Sequence, residues 1–277
     1  MIFGSTDLAK RIETVQAHNQ IDYAHAHQAM KPDSTHSAIH IGSGAALYAG
    51  AHSPLTQSFG LGLEGEIGDT VLEKQLDTLE EFFFSRGAAV YIEVANLAAM
   101  NLTLLLGKRH YSVLEYSHVL GFDLSKLSPT ASTLQPYRLE ESQIDAAADT
   151  IAAGFLEQNV GEGEIPPDFR ELFVVSFRTE GSSAFAVTID GEIAGAGGIT
   201  ILNGIAMLSG ASTQLKYRGK GVQQALIQAR LQFARELGCD IAVVSTAPGT
   251  VSQSNMQKMN FDILYARTKF TKPLSTA

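Results

Sequence analysis

The chain has 277 residues, 45% of them hydrophobic and 18% charged, with a formal net charge of −9. This is a globular composition, which excludes a disordered or low-complexity chain. The acidic balance argues against a nucleic-acid binder, which needs a basic face for phosphates. A single cysteine, Cys239, excludes a disulfide framework and a cysteine-rich zinc site.

No run approaches the roughly 18 apolar residues of a membrane helix. The start, MIFGSTDLAKRIETV, lacks the basic-then-apolar order of a signal peptide. A soluble, cytoplasmic protein is the expectation. In chain order, the spacing predicts a long helix over Thr6–Met30, a strand around Ser37–Tyr48 and a second around Gln57–Glu64. A helix at Thr70–Ser85, a strand Ala88–Val94, a helix Leu97–Leu106 and a strand Ser112–Leu120 follow. Gly42-Ser43-Gly44 after Ile39–Ile41 reads as a turn rather than a ligand loop.

The polar stretch Asp123–Pro136 (DLSKLSPTASTLQP) has two prolines and no sustained apolar period, so it reads as a linker. Two domains are expected, 1–124 and 137–277, joined at 125–136. In the second, a helix is predicted at Ser142–Glu157 with Ser142 as N-cap, and another at Asp168–Arg178. Strands Ala184–Ile189 and Glu192–Ile201 flank an Asp190-Gly191 turn, and Asn203-Gly204 launches a third strand, Ile205–Thr213. A helix Val222–Leu237 stops at Gly238. A buried strand Asp240–Thr246, a short helix Ser252–Met259 and a strand Phe261–Phe270 complete an α/β order. The run helix-strand-helix-strand closes both halves, which reads as a duplicated fold.

The informative segment is Leu208–Gln224 (LSGASTQLKYRGKGVQQ). A strand enters a loop with Arg218, Gly219, Lys220 and Gly221, and a helix begins at once. Unpaired amides and the positive dipole end at a helix start attract an anion, and glycines let phosphate oxygens approach the backbone. Arg218 and Lys220 add charge. The spacing is not that of a P-loop, nor of a Rossmann fingerprint.

Strand, Tyr217-Arg218-Gly219-Lys220-Gly221-Val222, amphipathic helix, DIAVVST, then Asn255 and Phe261: this order resembles the GNAT superfamily of acyl-CoA-dependent N-acyltransferases. The family signature Arg/Gln-x-x-Gly-x-Gly/Ala begins here at Arg218 and keeps Gly221, but Gln223 stands at its last position. The resemblance covers about 136–277 and, more faintly, the first half. It implies two GNAT-like domains, each a mixed twisted sheet flanked by helices, the first degenerate. It also implies that acetyl-CoA rests its pyrophosphate on the backbone of Arg218, Gly219, Lys220, Gly221, Val222 and Gln223. Its pantetheine arm would pair with Ala211, Ser212 and Thr213, and Asn255 would contact that arm. Asn260, where the family has glycine, suits a left-handed helix cap.

Charge agrees with that division. Residues 205–277 hold 9 Lys/Arg and 3 Asp/Glu, net +6, as a phosphate-bearing ligand favours. Residues 136–204 hold 3 and 12, net −9, which would favour a small ammonium-bearing acceptor. The expected activity is transfer of an acetyl group from acetyl-CoA directly to a primary amine. The alternative is a CoA-binding regulatory or interaction protein of the same fold without turnover.

Catalytic groups stay unassigned. Where the family often has a proton-donating tyrosine, this chain has Met256; Tyr265 is a possible substitute, and Glu162, Glu164 and Glu192 are candidate bases. The first half's counterpart loop, Phe59–Thr70 (FGLGLEGEIGDT), has no Lys or Arg and would repel a pyrophosphate, so no cofactor is expected there. His18, His25 and His27 do not share one helical face, so no metal site is expected. Cys239 reads as a packing residue. The protein would be a monomer or homodimer.

Overall fold

In the computed structural model, which describes residues 1–128, 133–159 (157–159 as backbone only) and 165–274, the chain divides into two compact units. Unit 1 comprises Met1–Gly121 and Ser245–Ala277; unit 2 is Phe122–Val244.

Unit 1 opens with α1 (Thr6–Met30), where the Ser5 hydroxyl accepts the amide of Leu8. The single strand expected over Ser37–Tyr48 is a hairpin, β1 (Ser37–Ile41) and β2 (Gly44–Tyr48), turned at Gly42-Ser43, with Gly42 at φ +55°. The strand expected over Gln57–Glu64 is only β3 (Gln57–Phe59), because Gly60, Gly62 and Gly65 take positive φ and leave the sheet. Then come α2 (Asp69–Phe84), β4 (Val90–Ala95), α3 (Met100–Lys108) and β5 (Ser112–Asp123). Leu72, Leu76, Leu79 and Phe83 of α2 and Leu102 and Leu106 of α3 fill a core against Ala46 and Ile92. The neighbours Ala45 and Leu47, on the opposite face of β2, are buried too, and α1 packs on β1, β2 and β3.

In unit 2 a 3₁₀ turn at Leu124–Lys126 precedes β6 (Tyr137–Arg138). The start of the expected linker is packed rather than loose. Leu124 and Leu127 are buried, and Arg235 donates to the Leu127 carbonyl; residues 129–132 lie outside the described residues. The N-cap expected at Ser142 is replaced by a capping box. The Glu140 carboxylate accepts the Gln143 amide, and the Gln143 side chain accepts the Glu140 amide, ahead of α4 (Ile144–Asn159). Next are α5 (Pro167–Ser176), β7 (Ser182–Ile189), β8 (Glu192–Leu202) and β9 (Ile205–Thr213). Asp190-Gly191 and Asn203-Gly204 turn both hairpins with positive φ at each residue, as the sequence implied. α6 (Val222–Glu236) and β10 (Ile241–Thr246) follow, β10 pairing parallel with β9.

The last segment departs from the sequence expectation. α7 (Val251–Lys258) and β11 (Asp262–Lys272), read as the end of the second half, belong to unit 1. β11 runs antiparallel between β4 and β5, from Arg267 opposite Ala95 to Lys272 opposite Val90. Ladder hydrogen bonds on both edges of β11 decide its membership, and no local pattern in its own residues could announce them.

The internal repeat shows in the helix ends. α2 and α6 close with Gly87 (φ +69°) and Gly238 (φ +78°), and Ala88 and Cys239 donate to Phe83 and Ala234. α3 and α7 close with His110 (φ +62°) and Asn260 (φ +64°), and Tyr111 and Phe261 donate to Leu106 and Met256. All four are Schellman endings. Asn260 takes the left-handed geometry expected of it.

Candidate functional site

The site is built from β9, the loop behind it and the start of α6. β9 pairs with β10 only over Ile205–Met207 opposite Ile241–Val243, and continues through Thr213 beside β8 alone. The ladder with β8 jumps register, from Ala196 opposite Ser212 to Gly198 opposite Ser209, so Gly210 and Ala211 bulge opposite Gly197. Gly210 sits at φ +42°.

Arg230 of α6 lies against Gly197 and is only 1% exposed. A Cβ on Gly197 would come within 2.9 Å of both Ala211 Cβ and Arg230 Nη1, so only glycine leaves room for the guanidinium. Arg230 donates through Nη1 to the Gly198 carbonyl (2.9 Å) and through Nε to Leu226 (3.1 Å). Among the described residues no carboxylate pairs with it. Burial pushes it down to about 10, which leaves it charged at neutral pH. Sequence reasoning missed this residue, because a helix arginine ordinarily faces solvent.

Beyond Thr213, Gln214 fastens the loop to β8, its amide to Ala194 and its Nε2 to the Ile193 carbonyl (2.7 Å). A 3₁₀ turn, Leu215–Tyr217, buries the Tyr217 ring, and Lys220 Nζ lies 5.1 Å from that ring's centre. Gly221 then caps α6 at φ +80°, with no side chain supplying the cap.

The amides here are mostly on offer. Arg218 N donates to Leu215, and Lys220 N makes a long bond (3.4 Å) to Tyr217. Among the described residues, the amides of Gly219, Gly221, Val222 and Gln224 have no acceptor in the chain. A Cβ on Gly219 or Gly221 would meet nothing within 4 Å, so the space above the loop is open. Four unsatisfied donors at a helix start, beside Arg218 and Lys220, form a cradle for a polyanion such as a diphosphate. Arg218 also has a local partner, its Nε donating to the Thr213 carbonyl (3.3 Å).

Ser212 turns to α4, where its Oγ is buried without a partner, and a Cβ on Gly154 would come 1.8 Å from it. Helix α4 thus lies directly on β9 at the cradle's strand. Of the acidic residues expected to draw a cationic acceptor, several have local cations. Arg170 bridges Asp145 and Asp149, Arg178 binds Glu141 at 2.7 Å, and Glu192 pairs with Lys216. The Arg170 guanidinium holds Asp145 below the usual carboxylate range. Glu162 and Glu164 lie outside the described residues.

Asn255, Met256 and Tyr265 belong to unit 1. Tyr265 is not a free acid. Its hydroxyl, buried, donates to Glu13 Oε1 (2.6 Å), and burial raises it well above the ordinary tyrosine value. Glu13 also binds Arg267 at 2.7 Å, the two being 1% and 2% exposed, and Arg267 donates to Ser245. In the counterpart loop of unit 1, Glu64 Oε1 accepts the Ser43 amide and Gln75 Nε2, and Asp69 stands in the first turn of α2. Carboxylates hold the place that the cradle offers to an anion.

Of the three histidines on α1, His18 pairs with Asp22 (3.0 Å), His27 Nδ1 meets Ser34 Oγ (2.6 Å) and His25 is exposed. Cys239 is buried, which pushes its thiol up. No helix among the described residues is long and apolar enough to cross a membrane.

Comparison with known proteins agrees with this geometry. Residues 149–261 match the acetyltransferase (GNAT) family model. A GCN5-related N-acetyltransferase from Kribbella flavida superposes with TM-score 0.69 at 14% identity, over 96% of each chain. A tandem GNAT protein from the clavulanic acid biosynthesis pathway gives 0.60 at 11%, again over 96% of each. A GCN5-related N-acetyltransferase from Sphaerobacter thermophilus gives 0.58 at 12%, over 84% of this chain and 74% of that one. No curated protein matches in sequence. The stretch 149–261 thus matches the GNAT acetyltransferase family model, within a chain whose fold is similar to that of GNAT proteins, a tandem one among them.

Proposed function

We propose that the protein transfers an acetyl group from acetyl-CoA directly to a primary amine, and that the cofactor is held by the β9–α6 junction of unit 2. The supporting observation is the cradle of partnerless amides at Gly219, Gly221, Val222 and Gln224 above open space. Amides and the helix dipole would hold the diphosphate, with Lys220, Arg218 and Gln223 at its edge. The stretch Ala211–Thr213, free of β10, would supply backbone partners for the pantetheine amides. Unit 1, with carboxylates at the matching place, is read as the copy without cofactor.

Acetyl-CoA supplies an activated acyl carbon as its thioester. The lone pair of a neutral amine attacks that carbon, a C–N bond forms as the C–S bond breaks, and one amine proton goes to the departing sulfur. The products are an N-acetyl amide and the CoA thiol. The protein's contribution is to orient the two reactants and exclude water from the reacting centre.

Titration calorimetry with acetyl-CoA on the wild type and on Gly221→Glu tests the reading. The carboxylate placed in the cradle should cost at least about 100-fold in affinity through charge repulsion. An unchanged affinity, or no heat at about 1 mM acetyl-CoA with the wild type, would falsify the cradle assignment. Binding without thiol release over a panel of amines would replace turnover by ligand sensing.

A further inference from the structure

The packing of unit 2 supplies no anion for Arg230. The side chain is buried, and its two hydrogen bonds go to the backbone carbonyls of Gly198 and Leu226. Among the described residues it has no ion pair, and burial alone acts on its acidity. A buried cation without an anion is costly. Arg267, buried as deeply in unit 1, is held by Glu13 at 2.7 Å.

The guanidinium lies close behind the cradle. Its Nε bond to Leu226 carries the side chain back towards the start of α6, and Leu226 is one turn, about 6 Å along the axis, from Val222. Glycines seat the helix on that face of β8. A Cβ on Gly195 would come 2.7 Å from Val222 Cγ1, and one on Gly197, two residues on, would come 2.9 Å from Arg230 Nη1. The helix itself offers no counter-charge at this end. The first acidic residue of α6 is Glu236, its last residue, whereas α2 of unit 1 begins with Asp69. A helix start ordinarily favours carboxylates. One that lacks them, with a buried cation behind it, suits an anion from outside the chain.

We infer that Arg230 is a buried counter-charge for the cofactor's diphosphate, acting without contact from one helical turn behind the cradle. The inference rests on the cofactor reading above and extends it to a residue outside the glycine loop. Its charge acts through the protein interior, where it is screened less than the exposed Arg218 and Lys220. Without the ligand, the same charge weighs against the fold. Ligand affinity and ligand-free stability should therefore move in opposite directions when the charge is removed.

Two variants test this. Arg230→Met removes the charge and both hydrogen bonds; Arg230→Gln removes the charge but keeps an amide able to donate to the Gly198 carbonyl. Calorimetry measures acetyl-CoA binding, and NMR titration follows S-acetylpantetheine, which has the same arm and thioester without phosphates. Both variants should lose about tenfold in acetyl-CoA affinity. They should bind S-acetylpantetheine within about twofold of the wild type and, ligand-free, melt no lower than it. Should S-acetylpantetheine not bind, inorganic pyrophosphate decides as a competitor of acetyl-CoA: about tenfold weaker competition in the variants supports the inference, and unchanged competition rejects it. Wild-type acetyl-CoA affinity in either variant, or equal losses for acetyl-CoA and S-acetylpantetheine, overturns the inference and leaves the cradle reading intact. So does a ligand-free melting temperature lower by more than about 5 °C, which makes Arg230 a residue of the fold alone. Failure of the wild type to bind acetyl-CoA overturns both.

Discussion

Arg267 and Arg230 are both fully buried arginines, and their surroundings make them opposite cases. Arg267 has a carboxylate at contact distance in Glu13, a second at 3.9 Å in Glu93, and the Phe59 ring beneath it. Arg230 has backbone carbonyls and no acid among the described residues. Removing one partner of a buried pair leaves the other charge uncompensated, a far larger effect than losing an exposed ion pair. Glu13→Gln should therefore destabilise the protein by about 3 kcal/mol or more, read as a lower urea midpoint at unchanged m-value. A loss under about 1 kcal/mol would mean that Glu93 already neutralises Arg267. Neither arginine was legible as buried. A lone charged residue in an amphipathic segment looks solvent-facing until the partner strand or helix is in place.

At the level of elements, the hairpins and helix stops were the most legible features, because Asp-Gly, Asn-Gly and helix-ending glycines act through local backbone preference. The cradle was legible for the same reason. Arg218–Val222 needs only a strand end, two glycines at positive φ and a helix start. The close approach of α4 to β9 was not legible, since it depends on Gly154 meeting Ser212 from 58 residues away in sequence. Gly154→Ala places a methyl 1.8 Å from Ser212 Oγ and 2.8 Å from its Cβ, so the helix must shift. The expected cost is about 1–3 kcal/mol. Adding Ser212→Gly should restore most of the lost melting temperature. If the single variant melts like the wild type, α4 does not rest on β9 as described. Composition along 136–204 counts carboxylates but does not show that Arg170 and Arg178 hold Glu141, Asp145 and Asp149.

For the molecule as a whole, the informative departure is the C-terminal segment. The duplicated order of helix, strand, helix, strand was readable, and the matched Schellman endings at Gly87/Gly238 and His110/Asn260 bear it out. Sequence adjacency then assigned β11 to the half that precedes it. In the structure β11 completes unit 1, between β4 and β5, and brings Arg267 to Glu13. Amide hydrogen exchange should show it: the interior amides of β11 should open with the same free energy as those of β4, as members of one cooperative unit. Protection of β11 matching β8 instead would place it with unit 2. From local preference alone the sequence determined most of the element order, the turns, the repeat and the glycine loop that opens α6, since each rests on neighbours within a few residues. Only the tertiary structure decided which unit the last strand joins, which charges are paired and that α4 rests on β9. Those depend on pairings between residues far apart in the chain, whose closure no short stretch of sequence encodes.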